Sequence, residues 1–351
     1  MKSEPTYFPV EMLLDHCKGV LRAVGMPADE ADLVADTLVW ANLSGTDSHG
    51  VNRLATYARR IIGGGIVTPA KLEPVSSTAA VGVLDAGFAA GQVAAARAMD
   101  DACARAREFG LGAMAVRRSN HFGAAGYFTA LAAERGYIGL IFSGATARMP
   151  AWGGRERLLG NNPWSIAVPT SSGTPVVLDM GNSVVALGKI RNALARGEQI
   201  PLGWALDGQG QPTTDPAAAI EGSLNFMGDH KGYGISVLVD LIGPTLASAA
   251  SGPEITGIVG ADDTAQGLGH LAMALDPKAF DPSDAYPERV DAYAERLRSS
   301  LPAPWADAVH LPGDPEAASR ARRSIEGVPL PVAVVAELRA IGAQCGVPLP
   351  V

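Results

Sequence analysis

Residues 80–119 read AVGVLDAGFAAGQVAAARAMDDACARAREFGLGAMAVRRS, and the fold turns on this stretch. The apolar runs 80–87 and 111–119 have the length and texture of buried strands, and 91–109 between them reads as a helix. A strand–helix–strand unit normally points to a parallel sheet and a dinucleotide fold. The turn after the first strand should then carry GxGxxG, with an acidic residue about twenty positions further on. No strand expected here is followed by that pattern, and Gly63-Gly64-Gly65 follows a helix. The chain is therefore read as α/β without a Rossmann turn, and any dinucleotide must be held another way.

The pattern extends in both directions. Upstream, Val10, Leu13, Leu14, Cys17, Val20, Leu21 and Val24 recur at helical steps until Gly25. Pro27 with Asp29 and Glu30 starts a second helix ending near Ser44–Gly45, and a third begins after Asp47–Ser48 and stops at Gly63. Downstream, YIGLIFSG, WSIAVPT and PVVLDM read as further strands, with helices at 123–135, 231–249, 287–299, 315–325 and 331–344. The Gly/Pro/Ser-rich stretch 250–269 marks a boundary or loop. Residues 1–75 and 250–351 are expected to form a helical, catalytic part. Residues 76–249 are expected to form a mixed α/β, cofactor-binding part.

Composition narrows the function. The 351 residues are 47% hydrophobic and 18% charged, enough to build a large core. A formal charge of −8 argues against gripping nucleic acid phosphates. Three scattered cysteines without CxxC spacing fit a reducing compartment, and the opening MKSEPTYFPVEM lacks the apolar core of a secretory signal. The stretch 233–250 is broken by Asp240 and Pro244, too short for a membrane span. The expectation is a cytoplasmic protein without a membrane segment. Its histidines show no paired metal-ligand spacing, so no metal is expected.

Five clusters carry candidate chemistry. On a helix from 47, His49, Arg53 and Tyr57 fall at four-residue steps on one face, with Asp47 or Ser48 as cap. An imidazole, a guanidinium and a phenol suit a small acid, although a solvated face with a capping histidine has the same spacing. The segment Arg118-Ser119-Asn120-His121-Phe122-Gly123 lies where a strand meets a helix. There His121 can act on a ligand, or Asn120 can simply cap. Trp152-Gly153-Gly154 and Gly160-Asn161-Asn162-Pro163 offer close backbone approach and amide partners, or an ordinary loop. Asp179 ends a strand, either as a turn former or as a group that holds a ribose hydroxyl or orients a histidine. Lys231 follows His230 at a helix head, where it can neutralise an anionic ligand or point into water.

Seven stretches together resemble the malate/L-lactate dehydrogenase family. That family is typified by sulfolactate, ureidoglycolate and 2,3-diketogulonate oxidoreductases and includes Δ1-piperideine-2-carboxylate/Δ1-pyrroline-2-carboxylate reductases. They are TDSHGVNRLATYARRIIGG, RRSNHFGAAGYFTALAAERGYIGL, AWGGRERLLGNNPWSIAVP, VVLDMGNSVVALGKI, IPLGWALDGQGQPTTDP, DHKGYGISVLVDLI and HLPGDPE. The resemblance implies a non-Rossmann, sulfolactate dehydrogenase-like fold with an N-terminal helical part and a mixed-sheet cofactor domain. It implies an NAD- or NADP-dependent oxidoreductase acting on a small carboxylate substrate as a homodimer. His49 and His121 become acid/base candidates, and Asp179 a candidate for tuning His49. Arg53 becomes the carboxylate clamp, with Ser48 and Tyr57 beside the substrate. Ser143, Asn162, Pro163, Asp179, Met180, Gly181, His230, Lys231, Gly313 and Asp314 fall in cofactor-contacting stretches. The chain departs from the family pattern at Asn161, Gly181-Asn182, Phe226–Asp229 and Asp314, which bears on cofactor and substrate choice.

Overall fold

The computed structural model describes residues 4–350; residues 1–3 of the opening segment lie outside them. Seven strands make the central sheet. Their order is Glu73–Ser77, Val81–Asp85, Leu111–Ser119, Leu268–Leu275, Ile138–Ser143, Trp164–Val168, Val176–Met180. Only Val81–Asp85 and Leu111–Ser119 run parallel, joined by the helix Gly91–Phe109. All other neighbours pair antiparallel. A single parallel pair gives no doubly wound sheet and no strand-order switch point of the kind that holds dinucleotides. The missing glycine fingerprint has its cause here.

Ala94, Ala95, Ala98, Ala102 and Ala106 of the helix Gly91–Phe109 are buried with Met99 and Cys103 against the sheet and the helix Ala125–Glu134. A second core joins the two ends of the chain. The helices Val10–Ala23, Ala28–Leu43, Leu54–Gly63 and Val332–Gln344 pack together, closed by the antiparallel pair Thr6–Phe8 and Val328–Leu330. The strand Leu268–Leu275 comes from the segment grouped with the helical part, yet it lies in the middle of the sheet. A third, smaller core gathers Met149, Val185, Ile190, Ile200, Leu224 and Phe226 beside a three-stranded sheet.

Two expected helices are corrected. The one read over 231–249 is α-helical only as His230–Asp240. A π-type turn, Leu241–Thr245, follows it and contains Pro244, which has no N–H to continue the ladder. The helix read from Asp47 begins only at Leu54, after two 3-10 turns, Asp47–His49 and Val51–Arg53, around an extended Gly50. No helix among the described residues is long and apolar enough to cross a membrane.

Candidate active site

A cleft of about 520 Å³ opens between the helical core and the sheet. Its wall combines segments far apart in sequence: His49, His121, Ser143, Asn161, Pro163, Asp179, Met180, Gly181 and Gly313. Two histidines form its chemical centre. The rings of His49 and His121 stack at 5.4 Å between centroids with an 18° tilt.

Backbone geometry presents His121. Arg118 has φ 50°, which turns the chain out of its strand before Asn120. The helix Gly91–Phe109 begins directly beneath, and a Cβ on Gly91 would sit 2.0 Å from the Asn120 carbonyl, so only glycine allows this approach. Asn120 does not cap a helix. Its Nδ2 donates to the carbonyls of Phe88 and Ala89, and its Oδ1 accepts from the Gln266 N–H. Gln266 in turn accepts from the His121 N–H at 3.0 Å.

The Gly123 N–H donates to His121 Nδ1 at 3.2 Å, and the Tyr57 hydroxyl lies 2.7 Å from the same atom. A backbone N–H can only donate, so Nδ1 is an acceptor, Tyr57 is the donor, and the neutral ring carries its proton on Nε2. Burial holds His121 well below the usual histidine range, and the neighbouring His49 ring and Arg53 guanidinium lower it further. Burial and then Arg53 bring His49 down to about 4. Both rings are thus neutral at pH 7. His49 Nδ1 lies 2.9 Å from Ser48 Oγ, leaving Nε2 without a protein partner among the described residues.

Several expected site residues stand elsewhere. Tyr57 is buried and meets the cleft only through His121. Arg53 and Ser48 are not part of the cleft wall, and Arg53 Nε donates to the Ser48 carbonyl at 2.8 Å, next to His49. The Asp47 carboxylate is no helix cap; it accepts from Asn42 and Arg323. Asn162 is fully buried, with Oδ1 accepting from the Ala145 N–H and Nδ2 donating to the Ser236 carbonyl. It ties loops together, while its neighbour Asn161 faces the cleft. Gly313 lines the cleft, but Asp314 turns away to Arg298 and the Leu311 N–H.

Asp179 faces the cleft but touches neither histidine, so it does not tune His49. Its carboxylate accepts from the Gly126 N–H at 2.7 Å, and a Cβ on Gly126 would come within 2.9 Å of it. Desolvation by the surrounding walls pushes Asp179 up to about 6 against the Gly126 bond, and the nearby Glu316 charge adds to the rise. His230 and Lys231 are exposed at the head of the helix His230–Asp240, with the Trp152 ring 6.1 Å from His230. They lie off the cleft wall of this chain. The turn before them is nonetheless bonded to it, because the Met227 N–H donates to the Asn182 carbonyl beside Gly181.

Other wall residues had no signal in the sequence. Trp40, Ser44, Gln266, Glu316, Arg320 and Arg148 come from four separate segments. Ser143 was expected, but not its partner His270. That buried ring joins Ser119 and Ser143 at 2.9 Å on each side, and burial keeps it neutral, near 3. Among the described residues no group of three or more His, Cys, Asp or Glu could hold a metal ion.

Known proteins match almost the whole chain. The family model described as malate/L-lactate dehydrogenase matches residues 8–339. A (2R)-3-sulfolactate dehydrogenase (NADP(+)) of Chromohalobacter salexigens is 38% identical over 320 residues, 91% of this chain and 93% of that protein. The sulfolactate dehydrogenase structure from Methanocaldococcus jannaschii superposes with a TM-score of 0.92 at 30% identity, covering 98% of each chain. The Δ1-piperideine-2-carboxylate reductase structure from Pseudomonas syringae gives 0.84 at 26% identity, covering 96% of this chain and 99% of that one.

Proposed function

The chain belongs to the malate/L-lactate dehydrogenase family, and on that premise we propose that it is an NAD(P)-dependent oxidoreductase of small 2-hydroxy and 2-oxo acids. The observation that carries this reading is the stacked, neutral pair His49 and His121 in a cleft large enough for a nucleotide and a small acid. Glycines at 181 and 313 and the polar groups of Ser143, Asn161 and Asp179 fit a flat, polar cofactor. Bound NAD or NADP would supply the nicotinamide C4 that accepts or returns the hydride of substrate C2.

The chain's own residues manage the proton. With its Nδ1–H directed to Ser48 Oγ, His49 presents a lone pair on Nε2 that accepts the hydroxyl proton as C2 is oxidised. His121, fixed as the Nε2–H tautomer by Gly123 and Tyr57, donates a hydrogen bond to the same oxygen. In reduction the protonated His49 returns the proton. Arg53 lies near both histidines, where its cationic charge can draw in the carboxylate and hold both imidazoles neutral. The alternative reading, reduction of cyclic 2-imino acids, is favoured by the likeness to the piperideine carboxylate reductase. A cofactor-binding relative without turnover is the other rival. Absorbance of NADH and NADPH with pyruvate, oxaloacetate, sulfopyruvate and Δ1-piperideine-2-carboxylate separates all three. Turnover of the cyclic imine alone would overturn the hydroxy-acid reading, and no turnover with cofactor still bound would favour the non-catalytic one.

Because His49 titrates near 4, kcat/KM for hydroxy-acid oxidation is expected to hold its plateau well below pH 6.5. The base form exists above the pKa, so activity is lost only as pH falls through that value. An acid limb centred at 6.5 would contradict the assignment.

Lys231 is assigned to the cofactor anion from a neighbouring position. Lys231→Ala is expected to raise the Kd for the nicotinamide cofactor more than the KM for substrate. Equal cofactor affinities by fluorescence titration would remove Lys231 from the site.

Leu238, Leu241, Ile242 and Leu246 are exposed along the segment beginning at His230. An apolar strip of this kind suits a second copy of the chain, and we assign a homodimer to it. Light scattering across a dilution series tests the dimer, which an active 36.1 kDa species at all concentrations would exclude. Three free thiols are consistent with a cytoplasmic location.

A further inference from the structure

We propose that Arg148 makes this cleft selective for a second oxyanion, carried either by the substrate away from C2 or by the cofactor as its 2′-phosphate. The inference rests on the oxidoreductase reading above and adds to it the charge class of the ligand. Arg148 lies on the cleft wall just before the short strand Met149–Pro150. Its backbone is fixed, since its N–H donates to the Leu159 carbonyl and its carbonyl accepts from the Leu224 N–H. Its guanidinium is not engaged. Among the described residues no carboxylate lies within ion-pair distance of it, and its side chain makes no hydrogen bond.

The surroundings are cationic. Arg157 enters the same short hairpin and spends its own donors on the carbonyls of Ile220 and Gly222, and Arg191 adds a third charge. A half-buried arginine beside two like charges and no acid is an unfavourable arrangement that an anion relieves. Its place in the cleft ties it to the chemistry. In the same loop Thr146 donates to the Thr256 carbonyl, which also accepts from Gln266, the residue that holds the His121 N–H. Planar, forked donors suit phosphate, sulfonate or carboxylate oxygens better than a neutral group.

The test compares wild type, Arg148→Gln and Arg148→Lys with NADH and NADPH, each against pyruvate and against sulfopyruvate and oxaloacetate. Loss of a charge-assisted contact is expected to lower kcat/KM about 10- to 100-fold for the ligand carrying the second anion. Arg148→Lys should fall between the two. A selective fall in the NADPH-to-NADH ratio identifies the 2′-phosphate; a selective fall in the diacid-to-monoacid ratio identifies the substrate's distal acid. No change in either ratio overturns the proposal, as does an equal fall in all combinations. Should wild type turn over none of these acids, the oxidoreductase reading fails by itself. Calorimetric Kd values for the same ligands then decide Arg148 separately: ratios unaltered by the glutamine variant overturn it, and ratios shifted by that variant support it. If Arg148→Gln does not fold, the lysine variant carries the comparison.

Discussion

Replacing His49 with alanine is expected to lower kcat by about 10²- to 10⁴-fold while leaving cofactor Kd within a few-fold of wild type. The size follows from its role. In the proposed reaction the imidazole accepts the proton in oxidation and donates it in reduction, and among the described residues its Nε2 has no protein partner. The acid limb of the rate profile should vanish with it. His121→Ala is expected to cost less and to keep that limb. His121 presents an N–H rather than a lone pair, because the Gly123 N–H and the Tyr57 hydroxyl fill its Nδ1. Tyr57→Phe should then behave as a weaker His121 change, since one of the two donors fixing the tautomer is lost. If His121→Ala alone abolished the chemical step with cofactor affinity intact, the two roles would have to be exchanged.

Replacing Arg60 with alanine is expected to destabilise the fold by about 2–5 kcal/mol and to lower activity with it. Arg60 has no solvent exposure. Its guanidinium donates to the carbonyls of Ala261 at 2.7 Å and Thr264 at 2.6 Å and reaches Asn120 Oδ1 at 3.4 Å. Truncation strands those oxygens and leaves a cavity, both costly in a close-packed interior. The same contacts hold the segment leading to Gln266 against Asn120, and both residues set His121. Urea unfolding with an assay of the folded fraction checks the two effects. Arg60→Met refills most of the volume without the donors. Stability equal to wild type in Arg60→Met would mean that packing, not hydrogen bonding, is what Arg60 contributes.

The element plan was largely legible because its causes are local. The helices Val10–Ala23 and Gly91–Phe109 end where Gly25 and Gly110 adopt positive φ. Proline in the first turn marks Tyr286–Arg298 and Asp314–Glu326, close to where apolar spacing places them. The site was legible in its residues but not in their directions. The common face of His49, Arg53 and Tyr57 assumed about 100° per residue. The chain there is two 3-10 turns broken by an extended Gly50, so residues 49 to 57 share no single helical face. Tyr57 accordingly lies buried against His121, and Arg53 turns to the Ser48 carbonyl.

By itself the sequence pointed to an α/β protein without a Rossmann turn, to the malate/L-lactate dehydrogenase family through its seven motifs, and to His49, His121 and Asp179 as candidate site residues. Those conclusions need only spacing, turn residues and the joint order of seven motifs. The tertiary structure alone decided that Leu268–Leu275 enters the sheet between Leu111–Ser119 and Ile138–Ser143, pairing with residues more than a hundred positions away. That insertion carries His270 between Ser119 and Ser143, and Gln266 onto the His121 loop. It also decided that Asp179 answers to Gly126 rather than to a histidine, and that the guanidinium of Arg148, on the cleft wall, has no partner among the described residues. Strand pairing and side-chain burial are set by which distant surfaces exclude water together, and no local periodicity encodes that choice.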